Sequence, residues 1–302
     1  MPSIQSYFIR VPMWVLRLRW GRLLGSVPRL RVAAGADSHQ LWLPHGIKRE
    51  VVDVNGVRCE WLCPPNAPPD AVLLHLHGGY GVLGLYNGER WLAGQLALAC
   101  NLRTFVPDYR LAPEHPFPAG LDDCLTAYHW LLSEGLTPER VVITGDSAGG
   151  YLTLSSLLAL RDIGQPLPAA AVCISPNIDP TCRGRSMQTN ARRDALLSPK
   201  SVRTLVPHYV GSHDLSDPHI SPLDADLHGL PPILIHVGAD EVLLDDSTRF
   251  DECAREAGVD LTLEVWPHMW HVWHVCAPYL PEANQAIEHI AEFVQKHILP
   301  RG

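Results

Sequence analysis

The hydrophobic pattern alternates between short apolar runs and longer segments with a helical period. Most of the short runs are apolar at nearly every position, as expected for strands that are buried on both faces. The runs that we interpret as strands span residues 71–77, 103–108, 141–145, 170–175, 233–237 and 261–265. The helical segments between them span residues 89–100, 120–133, 148–163, 247–257 and 282–298. This alternation predicts an α/β fold with a mostly parallel sheet and helices on both faces.

Two segments interrupt this rhythm, residues 1–45 and the polar stretch 181–213, and both are predicted to form a cap over the sheet edge. Between residues 7 and 24 the chain is apolar but carries four arginines, which lie too centrally for a membrane span. The segment also lacks the uninterrupted apolar core and cleavage site of a secretory signal. We therefore expect no stable membrane insertion. An amphipathic helix that covers apolar protein surface is favoured over one that binds a membrane surface.

Composition narrows the class of protein. The 302 residues are 46% hydrophobic and 19% charged, with no low-complexity linker, which favours one large domain. A net charge of -8 argues against nucleic acid as a partner, because phosphate binding needs clustered positive charge. The 8 cysteines lack the spacing of a disulfide or zinc framework, so we expect free thiols and a cytoplasmic location.

The strongest chemical motif is the run Gly-Asp-Ser-Ala-Gly-Gly, which follows a predicted strand and opens a predicted helix. It places Ser147 on the tight turn of a nucleophile elbow, where small neighbours let the chain fold back closely. The amide of Ala148 then lies at a helix N-terminus, where the helix dipole favours a developing oxyanion. Ser147 is accordingly the predicted nucleophile.

A nucleophilic serine needs a base and an acid, which follow it in the order Ser, Asp, His in this type of fold. Asp240 lies in the loop directly after the 233–237 strand, where active-site residues emerge from a sheet. The neighbouring Asp245 and Asp246 fall at the start of the next helix, where a carboxylate more often caps the helix. Asp240 is therefore the preferred acid.

The base lies in the run Trp-Pro-His-Met-Trp-His-Val-Trp-His after the last predicted strand. It offers His268, His271 and His274, and spacing alone does not choose among them. A metal site is disfavoured because no carboxylate or cysteine accompanies the histidines and the aromatic residues between them suit a packed cleft. We expect neither a metal nor a cofactor.

A glycine-rich loop completes the candidate site. His-Gly-Gly-Tyr-Gly at residues 77–81 directly follows the 71–77 strand. Glycines let a loop turn its backbone amides toward one point, as an oxyanion hole requires. The loop is therefore a candidate oxyanion hole, together with the amide of Ala148.

Taken together, these motifs resemble the hormone-sensitive-lipase-like family of α/β-hydrolases, in particular its bacterial esterases. The resemblance runs from about Val72 to the C-terminus. It also includes the segments 108–119, 217–223 and 238–247, which are similar to family signatures. It implies an α/β-hydrolase fold and a cap built from the two irregular segments. The family's Met-x-His pattern falls on Met269 and His271, so the resemblance selects His271 as base and supports Asp240 as acid.

The family's oxyanion amides come from the glycine stretch, so the resemblance implies that Gly78, Gly79 or Tyr80 donates, with the choice among them left open. Two positions depart from the family pattern: Tyr80 stands for the third glycine of the loop, and His268 for the glycine before Met-x-His. The implied activity is hydrolysis of short- to medium-chain carboxylic esters through an acyl-enzyme. A lactone hydrolase or lipase with the same triad is the alternative, and a non-catalytic ligand-binding protein of this fold is disfavoured because all three triad residues are present. The expected partner is a small ester substrate, and the oligomeric state is left open, a homodimer included.

Overall fold

A computed structural model describes residues 2–35 and 41–298 of the chain. Within these ranges eight strands form one sheet. The strands are β1 (Lys48–Val54), β2 (Val57–Cys63), β3 (Val72–Leu76), β4 (Arg103–Pro107), β5 (Val141–Asp146), β6 (Ala170–Ile174), β7 (Ile233–Gly238) and β8 (Leu261–Trp266). Their spatial order is β1-β2-β4-β3-β5-β6-β7-β8. The sheet confirms the predicted α/β-hydrolase architecture.

The parallel part of the sheet, β3 to β8, coincides with the six strands predicted from the sequence. The two strands that the prediction lacked, β1 and β2, pair antiparallel at one edge, and β2 also pairs antiparallel with β4. The Asn55-Gly56 turn between β1 and β2 is a typical hairpin signal and would have revealed them.

Helices cover both faces of this sheet. In the described ranges they are α1 (Ile4–Gly21), α2 (Val27–Ala34), α3 (Asn87–Cys100), α4 (Ala119–Ser133), α5 (Ala148–Asp162), α6 (Ser186–Thr189), α7 (Pro199–Val210), α8 (Leu244–Glu256) and α9 (Pro281–His297). The five helices predicted between strands correspond to α3, α4, α5, α8 and α9, each shifted by a few residues at most. The stretch 181–213 was predicted only as part of a helical cap, without helix bounds, and it contains α6 and α7.

Two hydrophobic layers hold the helices against the sheet. Side chains of α4, α5 and α8 share one buried cluster with strand residues such as Leu74 and Ile143. Side chains of α3 and α9 share another with Leu73 and Val142. Successive residues of one strand therefore serve opposite layers, which explains why most of these strands are apolar at nearly every position.

The two predicted cap segments contact each other. The Arg17 guanidinium of α1 donates to the carbonyl oxygens of Ala191 and Asp194, and Arg10 donates to that of Arg193. Residues 36–40 of the predicted cap lie outside the described residues. The helix expected between residues 7 and 24 is present as α1. In the described part of the chain, no helix combines the length and hydropathy that crossing a membrane would require.

A buried carboxylate ties the β1–β2 edge to the helices. Glu60 on β2 accepts paired hydrogen bonds from Arg49 at 2.7 Å and from Arg90 at 2.8 and 2.9 Å. Burial raises the pKa of Glu60, but the hydrogen bonds from Arg49 and Arg90 outweigh burial and lower it to about 2. The native state therefore holds this carboxylate charged.

We expect Glu60→Gln to destabilise the protein by about 1–3 kcal/mol at pH 7, because it leaves partly buried guanidinium groups without their counter-charge. The pKa of Glu60 is lower in the native state than in the unfolded chain, so its carboxylate stabilises the native state at any pH above its unfolded pKa. This contribution is lost as pH falls toward 2. The difference in free energy of unfolding between wild type and variant should accordingly shrink as pH falls from about 4.5 to about 2. Thermal unfolding at pH 7, 5 and 3 checks this, with Glu256→Gln at an exposed position as the control. A gap that stays constant over this range would contradict it.

Candidate active site

Ser147 occupies the turn between β5 and α5. Its backbone has φ 54° and ψ -115°, a region that residues other than glycine rarely adopt. Its amide donates to the Ile174 carbonyl at 2.8 Å. Two residues later, a Cβ at Gly149 would overlap the Leu76 carbonyl oxygen, so only glycine fits this close approach. The strained turn thus holds Ser147 at the carboxyl end of the sheet, beside the start of α5.

Glu241 is the acidic residue that contacts His271. One carboxylate oxygen of Glu241 lies 3.0 Å from His271 Nδ1. The other accepts hydrogen bonds from the Gly238 amide at 2.6 Å and from the Ser175 hydroxyl at 2.7 Å. Burial raises the pKa of Glu241, and the hydrogen bond with His271 opposes that rise. The Ser175 hydroxyl also accepts from the Val272 amide, which fixes the chain next to His271.

The structure does not bring Asp240 to His271, and the prediction of Asp240 as acid is corrected here. The Asp240 carboxylate instead forms ion pairs of 2.8 Å with Arg10 of α1 and with Arg193. Neighbouring residues on a turn point in different directions, so the adjacent Glu241 reaches His271 whereas Asp240 reaches the two arginines. The signal that could have found Glu241 is its position, since it also follows β7 directly.

Neither of the other two acids considered in this loop reaches His271. Asp245 accepts from the Ser186 amide at 3.0 Å, and Asp246 accepts from the amides of Ile178 and Asp179 at 3.0 Å. Both lie in the first turn of α8, as expected, but they bind the segment 178–186. Burial raises the pKa of Asp246 to about 7.

The three histidines after β8 have separate environments. His271 is buried beside Glu241, and it lines the same cavity as Ser147. His274 lies against His236, with His274 Nε2 3.1 Å from His236 Nδ1. Burial holds the pKa of His274 well below its usual range. His268 contributes its carbonyl oxygen to Arg10. The predicted choice of His271 therefore agrees with the geometry.

The glycine loop after β3 is anchored through Gly78. The Gly78 amide donates to Asp146 at 3.1 Å and to Glu89 at 3.2 Å, so it is directed into the protein. The prediction that Gly78 donates to an oxyanion is corrected for this reason. A Cβ at Gly78 would overlap the Asp146 carboxylate, which explains why glycine is needed there.

The remaining predicted donors are Gly79, Tyr80 and Ala148. Among the described residues, their amides have no acceptor within the protein. Gly79 has φ 106° and Tyr80 has φ 60°, so the residue that departs from the family pattern adopts the left-handed backbone that a glycine would favour. The loop therefore tolerates Tyr80 at the cost of local backbone strain.

The acids that hold Gly78 also form the one group that could supply three metal ligands within the described ranges. His75, Glu89 and Asp146 are all buried, with candidate ligand atoms within 4.8 Å of one another. Burial raises the pKa of Asp146 well above its usual range, and the nearby Glu89 charge raises it further. Both carboxylates serve as acceptors for the glycine loop.

A cavity of about 750 Å³ opens onto the site. Ser147, His271, Gly79 and Tyr80 line its floor, and its walls are mainly apolar. The wall residues come from α1, α2, the start of α3 and the chain after β8, and they include Met13, Leu16, Trp20, Tyr86, Trp91 and Val275. The site can thus enclose a molecule with an apolar body close to Ser147.

Comparison with known proteins places this arrangement in a family. Residues 73–275 match the family model described as an alpha/beta hydrolase fold. An acetyl-hydrolase of Streptomyces hygroscopicus is 41% identical over 93% of this chain and 94% of its own length. An esterase of Acinetobacter venetianus is 38% identical over 79% of this chain and 78% of its own.

A solved structure shows the same likeness along the whole chain. The crystal structure of an esterase from the bacterial hormone-sensitive lipase family is 41% identical and superposes with a TM-score of 0.90, covering 99% of this chain and 100% of that one. The sheet order and the turn at Ser147 indicate the same fold as these matches. The chain therefore belongs to the α/β-hydrolase family, and within it to the bacterial group related to hormone-sensitive lipase.

Proposed function

We propose that this protein is a carboxylesterase that hydrolyses short- to medium-chain esters through an acyl-enzyme on Ser147. The observation that carries the proposal is the position of His271. Its Nδ1 contacts the buried Glu241 carboxylate, and its ring lines the cavity that also exposes Ser147. An imidazole held between a carboxylate and a serine-lined cavity is suited to general-base catalysis.

In this mechanism the Ser147 hydroxyl attacks the ester carbonyl while His271 Nε2 takes its proton. The Glu241 carboxylate keeps the His271 proton on Nδ1 and stabilises the imidazolium that forms. The protonated His271 then donates to the departing alcohol. Water then attacks the acyl-enzyme while His271 takes its proton, and the acid is released as the Ser147 hydroxyl is restored.

The negative charge on the carbonyl oxygen needs donors that are in place before reaction. The Ala148 amide at the start of α5 and the amides of Gly79 and Tyr80 supply them in this proposal. Each such donor typically lowers the barrier by about 3–4 kcal/mol. The Gly78 amide contributes indirectly, since its bonds to Asp146 and Glu89 set the position of the loop.

The apolar cavity supports esters with a hydrocarbon acyl or alcohol group over charged substrates, because its walls carry aromatic and aliphatic side chains. The related proteins named acetyl-hydrolase and esterase support the same substrate class. All eight cysteines are free, which supports a reducing compartment such as the cytosol.

Ser147→Ala should abolish hydrolysis of p-nitrophenyl acetate and butyrate, since it removes the attacking oxygen, while the circular dichroism spectrum stays unchanged. Wild type should also be labelled at Ser147 by a fluorophosphonate probe, and a non-catalytic binding protein should not. Turnover by the alanine variant, or an unlabelled wild type, would overturn the proposal.

Glu241→Gln should lower kcat by about 10³–10⁴-fold, because a neutral amide no longer holds the required His271 tautomer. Asp240→Asn is the matched control, since Asp240 faces Arg10 and Arg193. It should keep kcat within about tenfold and lower thermal stability instead. Steady-state kinetics with p-nitrophenyl butyrate distinguish the two, and a larger kcat loss in Asp240→Asn would restore Asp240 as the acid.

Gly78→Ala should lower kcat by about 10²-fold with little change in KM, because the new methyl group pushes the loop away from Asp146 and misplaces the donor amides. Gly25→Ala serves as control, since a Cβ there meets open space. The measurement is kcat and KM on p-nitrophenyl acetate together with the melting temperature. An unchanged kcat in a folded Gly78→Ala variant would argue against this loop as the oxyanion hole.

A further inference from the structure

Helix α1 has an outward face that is apolar along its whole length. Its six members are between 61% and 74% exposed. They are Ile4, Tyr7, Phe8, Val11, Val15 and Leu18. Spacings of three and four residues place them in one stripe on the helix surface, which we call the outer stripe. A continuous exposed apolar stripe is unusual on the surface of a soluble protein and indicates an interaction site.

The inward face of α1 is already occupied. Met13, Leu16 and Trp20 line the cavity that contains Ser147. The sequence favoured a helix that covers apolar protein surface, and this inward face fits that expectation. The outer stripe does not, because nothing in the described part of the chain covers it.

Every charged side chain in the segment that carries the outer stripe is positive, although Glu282 and Asp240 from other elements contact Ser3 and Arg10 on the side toward the protein. Residues 1–35 contain six of the chain's 24 basic residues and none of its 32 acidic ones, in a protein of net charge -8. Arg19, Arg22 and Arg29 are exposed and form no ion pair within the described ranges. At 100° per residue, Arg22 falls in line with the outer stripe and Arg19 beside it.

We propose that the outer stripe docks the protein onto an anionic lipid surface. Hydrocarbon and phosphate groups lie together at such a surface, which matches an apolar stripe that ends in arginines. A second copy of the chain fits less well. Two-fold pairing of this face would bury arginines against a segment that has no carboxylate to neutralise them.

Docking in this orientation would bring lipid close to the active-site cavity. The helix that carries the outer stripe forms one wall of that cavity, and Trp42 and Tyr279 line the cavity while being 60% and 72% exposed. An apolar ester dissolved in the lipid could then reach Ser147 along an apolar path. The docking itself does not depend on the proposed ester hydrolysis.

The test is co-sedimentation of full-length Ser147→Ala protein with vesicles, so that hydrolysis cannot alter the lipid. Binding should be at least about tenfold tighter to phosphatidylcholine mixed with phosphatidylglycerol than to phosphatidylcholine alone, and added salt should weaken it. The triple variant Phe8→Ser, Val11→Ser, Val15→Ser should lose about tenfold or more of the binding. Arg19→Gln with Arg22→Gln should lose the preference for anionic lipid.

A matched control replaces exposed apolar residues elsewhere: Val51→Ser, Ile163→Ser, Leu215→Ser should bind like the parent protein. The same stripe substitutions in the Ser147 enzyme should leave hydrolysis of p-nitrophenyl acetate in buffer unchanged, which shows that the variant is folded. Equal binding by the stripe variant and its parent would overturn the proposal. So would a dimer, detected by light scattering, that dissociates in the stripe variant while the parent fails to bind vesicles.

Discussion

The buried carboxylate of Glu241 joins the ends of three neighbouring strands. It accepts from Ser175 just after β6 and from Gly238 at the end of β7, and it contacts His271 in the loop after β8. A charge in a buried site is stable only when its oxygens are fully hydrogen-bonded. The three loops must therefore converge on it, and their convergence sets the place of His271 relative to the turn at Ser147.

The neighbouring carboxylate serves a different part of the molecule. Asp240 forms ion pairs with Arg10 of α1 and with Arg193, so it joins the cap to the loop that carries Glu241. Arg10 also lies over the Trp270 ring, 5.4 Å from its centroid, next to His271 in sequence. Two adjacent acids thus contact different parts of the molecule: Glu241 contacts His271, and Asp240 contacts Arg10 and Arg193.

Helix α1 therefore combines three roles. Its arginines bind the loops around the site, its inward apolar residues enclose the cavity, and its outer stripe faces away from the protein. A helix that only closed the cavity would need one apolar face. Helix α1 has a second apolar face, which is exposed, and it lies in a segment without acidic residues although the protein as a whole is acidic.

The sequence by itself determined the parallel sheet, the helices between its strands, and the serine turn. These follow from local rules: buried strands are apolar at nearly every position, and the turn at Ser147 admits only small neighbours such as Gly149. The missed strands β1 and β2 carry several charged residues between their apolar ones, so the hairpin turn at residues 55–56 is their main local signal.

Only the tertiary structure decided which acid meets His271 and which loop amide is bound inside the protein. Asp240 and Glu241 are chemically alike and adjacent, and the direction of each side chain depends on partners that are distant in sequence: α1 for one, β6 and the loop after β8 for the other. The same is true of Gly78, whose amide is turned inward by Asp146 and Glu89. Residue type and spacing indicate which chemical groups are available near the serine turn. Long-range packing decides which carboxylate contacts His271 and where each loop amide points.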